Sequence, residues 1–419
     1  MNRKKLILCL TMLVIFFHLT WSVNFTNVAI GLLVLSILLD KRIGIKIRKL
    51  ISTSQFWILI SPFVVFSLSA LYSSDGLRAW KEIEIKLPLL IFPFIYGLAP
   101  MSEKYRDLVF KFFILITILI PVIGFISQLG TYFETKDSGY FYNDHLVHYA
   151  GKKQAAYFGL YANFALVGVF YFWQKISIKT NLQKITLASA FSFLLIIQYL
   201  LASRMALLIM FLVIIGFLIV QIFTNTSRKQ ILSMLIGAAL VSIGLIVLFP
   251  KVIKRFNSIT HTDYQFDNTN PINHFNGEIK AENWNGLNTR LALWTCAWEQ
   301  IEEKPFFGTG IGDVQNDLVK KYQEKNFIFA LESNFNSHNQ YLDIMLSNGI
   351  VGLFLFVCFI LYILYLAIKN KSWFLAGVVV IVAMSCLTEN ILSRNQGIVV
   401  FIVFLSMLLF SEKETIKKI

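Results

Sequence analysis

Apolar residues recur along this chain in runs about as long as a membrane is thick. Crossing roughly 30 Å of hydrocarbon takes about 20 residues of helix, and such runs are expected near residues 6–22, 24–39, 55–72, 83–99, 108–129, 154–173, 185–202, 205–223, 231–250, 347–368, 373–388 and 396–410. The pattern therefore predicts an all-α integral membrane protein of about 12 transmembrane helices. The polar stretches between the runs are short, with one exception. Residues 251–338 separate the ninth span from the tenth, and a connection of that length is usually functional or disordered. The expected organisation is 1–250 for the first nine helices, 251–338 for the large loop and 339–419 for the last three helices.

Composition supports the membrane assignment, because 56% of the 419 residues are hydrophobic and 15% are charged, with mean hydropathy +0.65. The net charge of +14 is distributed as an orientation signal. With the amino terminus in the cytoplasm, loops on that side carry Lys41, Arg42, Lys46, Arg48 and Lys49, then Lys104 and Arg106, Lys175, Lys179 and Lys184, Arg228 and Lys229, and Lys369 and Lys371. The opposite loops are poorer in Lys and Arg, as the positive-inside rule requires. Both termini are then cytoplasmic, the long loop lies outside, and the excess of cations predicts contact with membrane lipids and no nucleic-acid partner. The opening MNRKKLILCLTMLVIFFHLTW has the basic flank and apolar core of a signal peptide without a cleavage site, so an uncleaved first helix is expected. Cys9, Cys296, Cys358 and Cys386 have neither disulfide nor metal spacing and are expected to be small core residues.

Within the loop, TRLALWTCAWEQIEEKPFFGTGIGD predicts an amphipathic helix. Leu291, Trp294, Trp298 and Ile301 recur at helical spacing, Asn288 or Thr289 is placed to cap it, and Pro305 with Gly308 ends it. Nine Lys and Arg stand against eleven Asp and Glu in the loop, so it is not a polybasic patch and each arginine is judged by position. Arg290 opens the helix, where a cation opposes the helix dipole. Arg204 sits between two apolar spans, where burying a guanidinium is costly unless it meets an anion. His338 closes the loop at the mouth of the next helix. Each has an ordinary reading too: an interfacial histidine, an arginine snorkelling to headgroups, and an ion pair of Arg290 with Glu282 or Glu299. Gly308, Gly310 and Gly312 look like a phosphate cradle but have no preceding strand and no following lysine. Tight turning of the chain is the better expectation for them.

Three stretches, ASRMALLIMF, RLALWTCAWEQIEEKPFFGTGIGD and SHNQYLDIMLSNGIVGLF, together with the order of spans and loop, resemble the O-antigen ligase and polymerase superfamily of membrane glycosyltransferases. They cover about the last half of the chain, with a weaker similarity in WKEIEIKLPLLIFP at 80–93. The resemblance implies transfer of a glycan from a polyprenyl (undecaprenyl) pyrophosphate carrier to an acceptor hydroxyl, on lipid A-core or a growing glycan, at the outer face of a bacterial inner membrane. It implies pyrophosphate binding by Arg204, Arg290 and Arg394, since arginine forms bidentate bonds to phosphate and keeps its charge. For Arg394 an ion pair with nearby Glu389 is an equal alternative. It implies His338 as the base that takes the acceptor proton, with inversion at the anomeric carbon. No metal and no cofactor are expected, as neither a D-x-D pair nor a His/Cys cluster is present and the arginines are placed to stabilise the leaving phosphate.

Lys81, Lys86, Lys152 and Lys153 are expected outside the membrane, with interfacial roles. A transporter or flippase, and a silent partner of an export complex, are the rivals from other classes. Neither the mid-membrane ionisable groups nor the internal repeats usual in transporters are apparent. Within the superfamily, Arg290 and His338 in one large loop favour a ligase. The second loop, 130–153, with His145, His148, Lys152 and Lys153, keeps a polymerase open.

Overall fold

The computed structural model describes residues 3–21, 23–151, 153–175, 180–223, 262–267 and 284–410, with a few isolated positions between 236 and 247. Helices are the regular structure among these residues, with no strand. The helices are α1 (Arg3–Thr20), α2 (Val23–Leu38), α3 (Ile43–Ile51), α4 (Ser54–Ala70), α5 (Gly76–Lys86), α6 (Pro88–Leu98), α7 (Glu103–Thr135), α8 (His145–His148), α9 (Ala155–Lys175), α10 (Asn181–Leu201) and α11 (Arg204–Phe223). Beyond residue 287 come α12 (Asn288–Glu303), α13 (Val314–Glu324), α14 (Ile328–Ser333), α15 (Gln340–Lys369), α16 (Trp373–Ser385) and α17 (Asn395–Leu409).

Among the described residues, five helices are long and apolar enough to cross a membrane: α7, α9, α10, α11 and α15. The bent pair α3 and α4 makes a sixth, and α2, α16 and α17 are shorter apolar helices. The count of twelve is thus only partly recovered. The run at 83–99 is divided at Lys86 and Pro88 between α5 and α6, and the expected span at 231–250 lies almost wholly outside the described residues. Helix α9 is the hub, buried along most of its length and packed by α7, α10, α11 and α16. Helix α17 is buried on nearly every face. Pro62 and Pro121 lie inside α4 and α7, which membrane helices tolerate because neighbours satisfy the freed backbone groups.

Residues 284–338 form a small helical cap with a hydrophobic core of its own, built from Leu293, Cys296, Ile301, Leu318, Tyr322 and Phe327 among others. The sequence predicted the helix here but not its buried face. Ala292, Leu293, Cys296, Ala297 and Ile301 point inward while Trp298 is exposed, so of the expected stripe Ile301 alone is fully buried. Neither Asn288 nor Thr289 provides the cap. Asn285 does, its Oδ1 accepting the amides of Leu287 (2.8 Å) and Asn288 (3.2 Å). The cysteines divide against expectation as well: Cys296 and Cys386 are buried, whereas Cys9 and Cys358 face outward.

The cap is tied to α15 at a break in that helix. Gly349 has φ +62° and ψ −166°, a backbone state that L side chains avoid, and a Cβ there would lie 2.2 Å from the Phe306 carbonyl. Across the break the Ile350 amide donates to Pro305 O (2.8 Å), and the Thr309 amide to Leu346 O (2.8 Å). Asp313 then accepts the amides of Ser74 (2.7 Å) and Asp75 (2.9 Å), joining the cap to the α4–α5 connection. The glycines of FFGTGIGD therefore serve close backbone approach: Gly308 has φ +70° and lies against Leu346 and Ser347 of α15.

Candidate active site

The carboxylate of Glu389 joins two of the four residues singled out in the sequence. It sits on the connection between α16 and α17, with its side chain 13% exposed. Arg290 Nη2 donates to Glu389 Oε1 at 2.7 Å, and His338 Nδ1 lies 3.3 Å from Glu389 Oε2. Arg290 stands in the first turn of α12 and is fixed twice more, by Nε to Thr388 O (3.2 Å) and Nη1 to Gly286 O (2.8 Å). The pairing with Glu282 or Glu299 expected as its ordinary role is replaced by a longer-range one. An ion pair of this kind, removed from bulk water, is costly unless its hydrogen bonds are satisfied, and here the partners come from three separate segments.

Arg204, the first residue of α11, enters the same neighbourhood from the membrane bundle. A Cβ built on Gly286 would lie 3.1 Å from Arg204 Nη2 and 3.5 Å from Arg290 Nη1, so the two guanidinium groups flank one glycine. A side chain at position 286 would intrude between them. Two cations held this close repel each other, and an anion between or above them relieves that repulsion.

His338 has a positive φ of 45°, and its amide is held by Asn336 Oδ1 at 3.0 Å. Its ring packs edge-on to Phe335 and is 23% exposed. With Nδ1–H directed at Glu389, the neutral ring keeps its lone pair on Nε2. Burial pushes the Glu389 carboxyl up, but the His338 hydrogen bond and the Arg290 charge more than offset it and hold the group below its ordinary value. Glu389 is thus a carboxylate, the state that stabilises a protonated His338.

Arg394 stands apart from this trio. Its Nη1 donates to Gln154 Oε1 (3.0 Å) and its guanidinium lies 5.9 Å from the centre of the Tyr157 ring, so the ion pair weighed for it with Glu389 is made by Arg290 instead. Tyr157 in turn donates to Asn390 O at 3.3 Å, which places Arg394 on the same short connection as Glu389. Of the four lysines, Lys81 is exposed, Lys152 lies outside the described residues, and Lys86 and Lys153 are buried. Lys86 pairs with Glu82 at 3.0 Å and faces the Phe66 ring. Burial lowers the Lys153 amine to about 8. His145 and His148 are exposed on α8.

A layer of polar side chains that the sequence reading did not identify supports the site. Asp343, one turn into α15, accepts from Asn390 Nδ2 (2.9 Å), Ser393 Oγ (2.9 Å) and Gln340 Nε2 (3.2 Å). Gln340 Oε1 takes the Leu392 amide at 2.6 Å. These bonds fix the 386–394 connection against the start of α15, and so fix Glu389 relative to His338. The available signal was CLTENILSRNQG, a cluster of polar residues between two apolar runs.

Residues 188–357 match the family model described as O-Antigen ligase. That segment contains Arg204, Arg290 and His338, and the match bears out the resemblance to the O-antigen ligase superfamily. The chain is also 26% identical over 213 residues to an uncharacterized protein of Haemophilus influenzae, an alignment covering 47% of this chain and 49% of the other. The chain thus spans about half the length of that curated relative. With its several membrane-capable helices, the protein is a multi-pass membrane protein whose residues 188–357 are similar to the O-antigen ligase family.

Proposed function

We propose that the protein is an inverting glycosyltransferase that moves a glycan from a polyprenyl pyrophosphate to an acceptor hydroxyl at the outer face of the membrane. The observation that carries this reading is the shared Glu389 carboxylate, which holds Arg290 and His338 in one constellation while Arg204 reaches the same glycine. Arg204 and Arg290 bind the pyrophosphate, since guanidinium groups match phosphate oxygens and their charge offsets that of the leaving group. The acceptor hydroxyl oxygen attacks the anomeric carbon as the bond from that carbon to the phosphate oxygen breaks. The hydroxyl proton passes to His338 Nε2, and the electron pair of the broken bond leaves on the polyprenyl pyrophosphate. Glu389 stabilises the imidazolium that forms, and Arg394 contributes to donor binding from the same connection.

A ligase acting on lipid A-core is favoured over a polymerase because one compact cap supplies both Arg290 and His338. Deleting the gene in its host and resolving surface glycolipids by size tests the assignment. A ligase deletion leaves bare core with finished chains retained on the carrier. Core capped by a single repeat unit would indicate a polymerase, and unchanged lipopolysaccharide with loss of another polymer would remove the O-antigen assignment. In the purified protein, transfer from a lipid-pyrophosphate donor is expected to persist in chelator. A strict requirement for a divalent cation would overturn the roles given to the arginines.

A further inference from the structure

At the opposite end of the bundle, a cavity of about 550 Å³ opens between α1, α3, α6, the start of α7 and the end of α17. Helix α17 sets the separation: it begins beside Arg394 and ends near Phe410 in the cavity wall, about 22 Å for 15 residues at 1.5 Å each. Among the described residues, four cationic side chains, Arg3, Lys4, Lys46 and Lys49, line the cavity and no acidic one does. Asp40, just outside the lining, pairs with Arg3 and Lys46, and the described side chains of the wall carry more positive than negative charge. The remaining wall is largely apolar, with Ile7, Leu50, Leu98, Met101 and Phe410 buried against the bundle.

Helix α3 locates this cavity at a membrane surface. It is bent 81° from α4, so it runs across the end of the bundle rather than along it. Its sequence, IGIKIRKLI, alternates Lys46, Arg48 and Lys49 with exposed Ile45 and Ile51, the pattern of a helix lying in the interface. Trp57, exposed at the start of α4, donates its indole N–H to Ile51 O at 2.8 Å, as interfacial tryptophans do with one polar and one apolar edge. A ligand entering here meets cations at headgroup depth and an apolar wall behind them.

We infer that this cavity binds the phosphate headgroup of an anionic phospholipid, with Lys4 and Lys49 beside Arg3 and Lys46 on the phosphate and the acyl chains against the apolar wall. The phosphate itself could come from a lipid or from solution, and the apolar wall with the interfacial α3 favours the lipid. Lys4 and Lys49 are exposed side chains outside the buried core of the bundle.

The test is native mass spectrometry of the full chain in mild detergent, titrated with phosphatidylglycerol and with phosphatidylcholine. Phosphatidylglycerol is expected to bind in preference. The double variant Lys4→Gln/Lys49→Gln should weaken its binding by roughly 30-fold, equivalent to ~1 kcal/mol for each basic side chain at headgroup level. Lys4→Arg/Lys49→Arg should retain it. Equal binding of the two lipids, or undiminished phosphatidylglycerol binding by the Gln variant, overturns the proposal. Displacement of the lipid by millimolar inorganic phosphate would identify a free-phosphate site and also overturn it.

Discussion

The two ends of this protein hold charge in opposite ways. At the His338 end, Glu389 and Asp343 are withdrawn from solvent, and each is held by partners from separate segments of the chain. At the other end, Asp40 pairs with Arg3 and Lys46, whose side chains remain 33% and 42% exposed. Lys175 likewise pairs with Glu103 and Asp107 while partly exposed. Pairs left in water are screened and contribute little; buried ones are expensive to leave unmatched. Under the proposed function the charge at the His338 end serves glycan transfer, and under the inferred lipid site the charge at the other end meets headgroups.

The contrast is broken most directly at Glu389. Glu389→Gln keeps the shape but removes the charge that supports a protonated His338, and transfer from a lipid-linked donor should fall by at least ~100-fold, within the range expected when acid–base catalysis is lost. His338→Ala should fall as far. A Gln variant with near-normal turnover would separate Glu389 from the chemistry. Asp343→Ala comes next. It strips Asn390, Ser393 and Gln340 of a common acceptor and should cost about 3 kcal/mol of stability, the order expected when buried donors lose their acceptor, read as a lower unfolding temperature in detergent.

Gly349→Ala should cost about 2 kcal/mol or more, because the new Cβ meets both a positive φ and the Phe306 backbone. A pH titration sharpens the comparison further. The native Glu389 carboxyl is below its ordinary value, so its contribution to stability is fully present above the ordinary carboxylate range and is lost as pH falls through the lower native value. Glu389→Gln should remove that part of the acid sensitivity. The smallest effect is expected at Asp40→Asn, which should leave the unfolding temperature essentially unchanged although its two cations hold the carboxyl well below the usual range.

What the sequence revealed follows the same division. Apolar runs are long, one-dimensional signals, so α9, α10 and α11 were legible with nearly correct ends, whereas α7 and α15 extend five to seven residues past their apolar runs into polar sequence. Arg204, Arg290 and His338 were legible because a charge or an imidazole at a membrane boundary is conspicuous. The common partner of Arg290 and His338 was not. Glu389 lies 99 residues from Arg290 and 51 from His338, and in sequence it is closer to Arg394, which the fold instead directs to Gln154. The buried face of α12 was misjudged because Trp294 and Trp298 carry the strongest hydrophobic weight, yet the cap core packs on the smaller Ala292, Leu293, Cys296 and Ala297.

The break at Gly349 also bears on the order in which the protein is made. The Ile350 and Val351 amides, on the membrane side of the break, bond to Pro305 and Phe306 of the cap, segments synthesised some 45 residues earlier. An amide entering hydrocarbon without a partner is costly. The cap turn must therefore already be docked when α15 takes up its final position, and biogenesis is expected to proceed from the cap to the last three membrane helices. Pulse-chase protease protection should show residues 284–338 becoming resistant before α15 does, and in Gly349→Ala that sequence should stall at the cap.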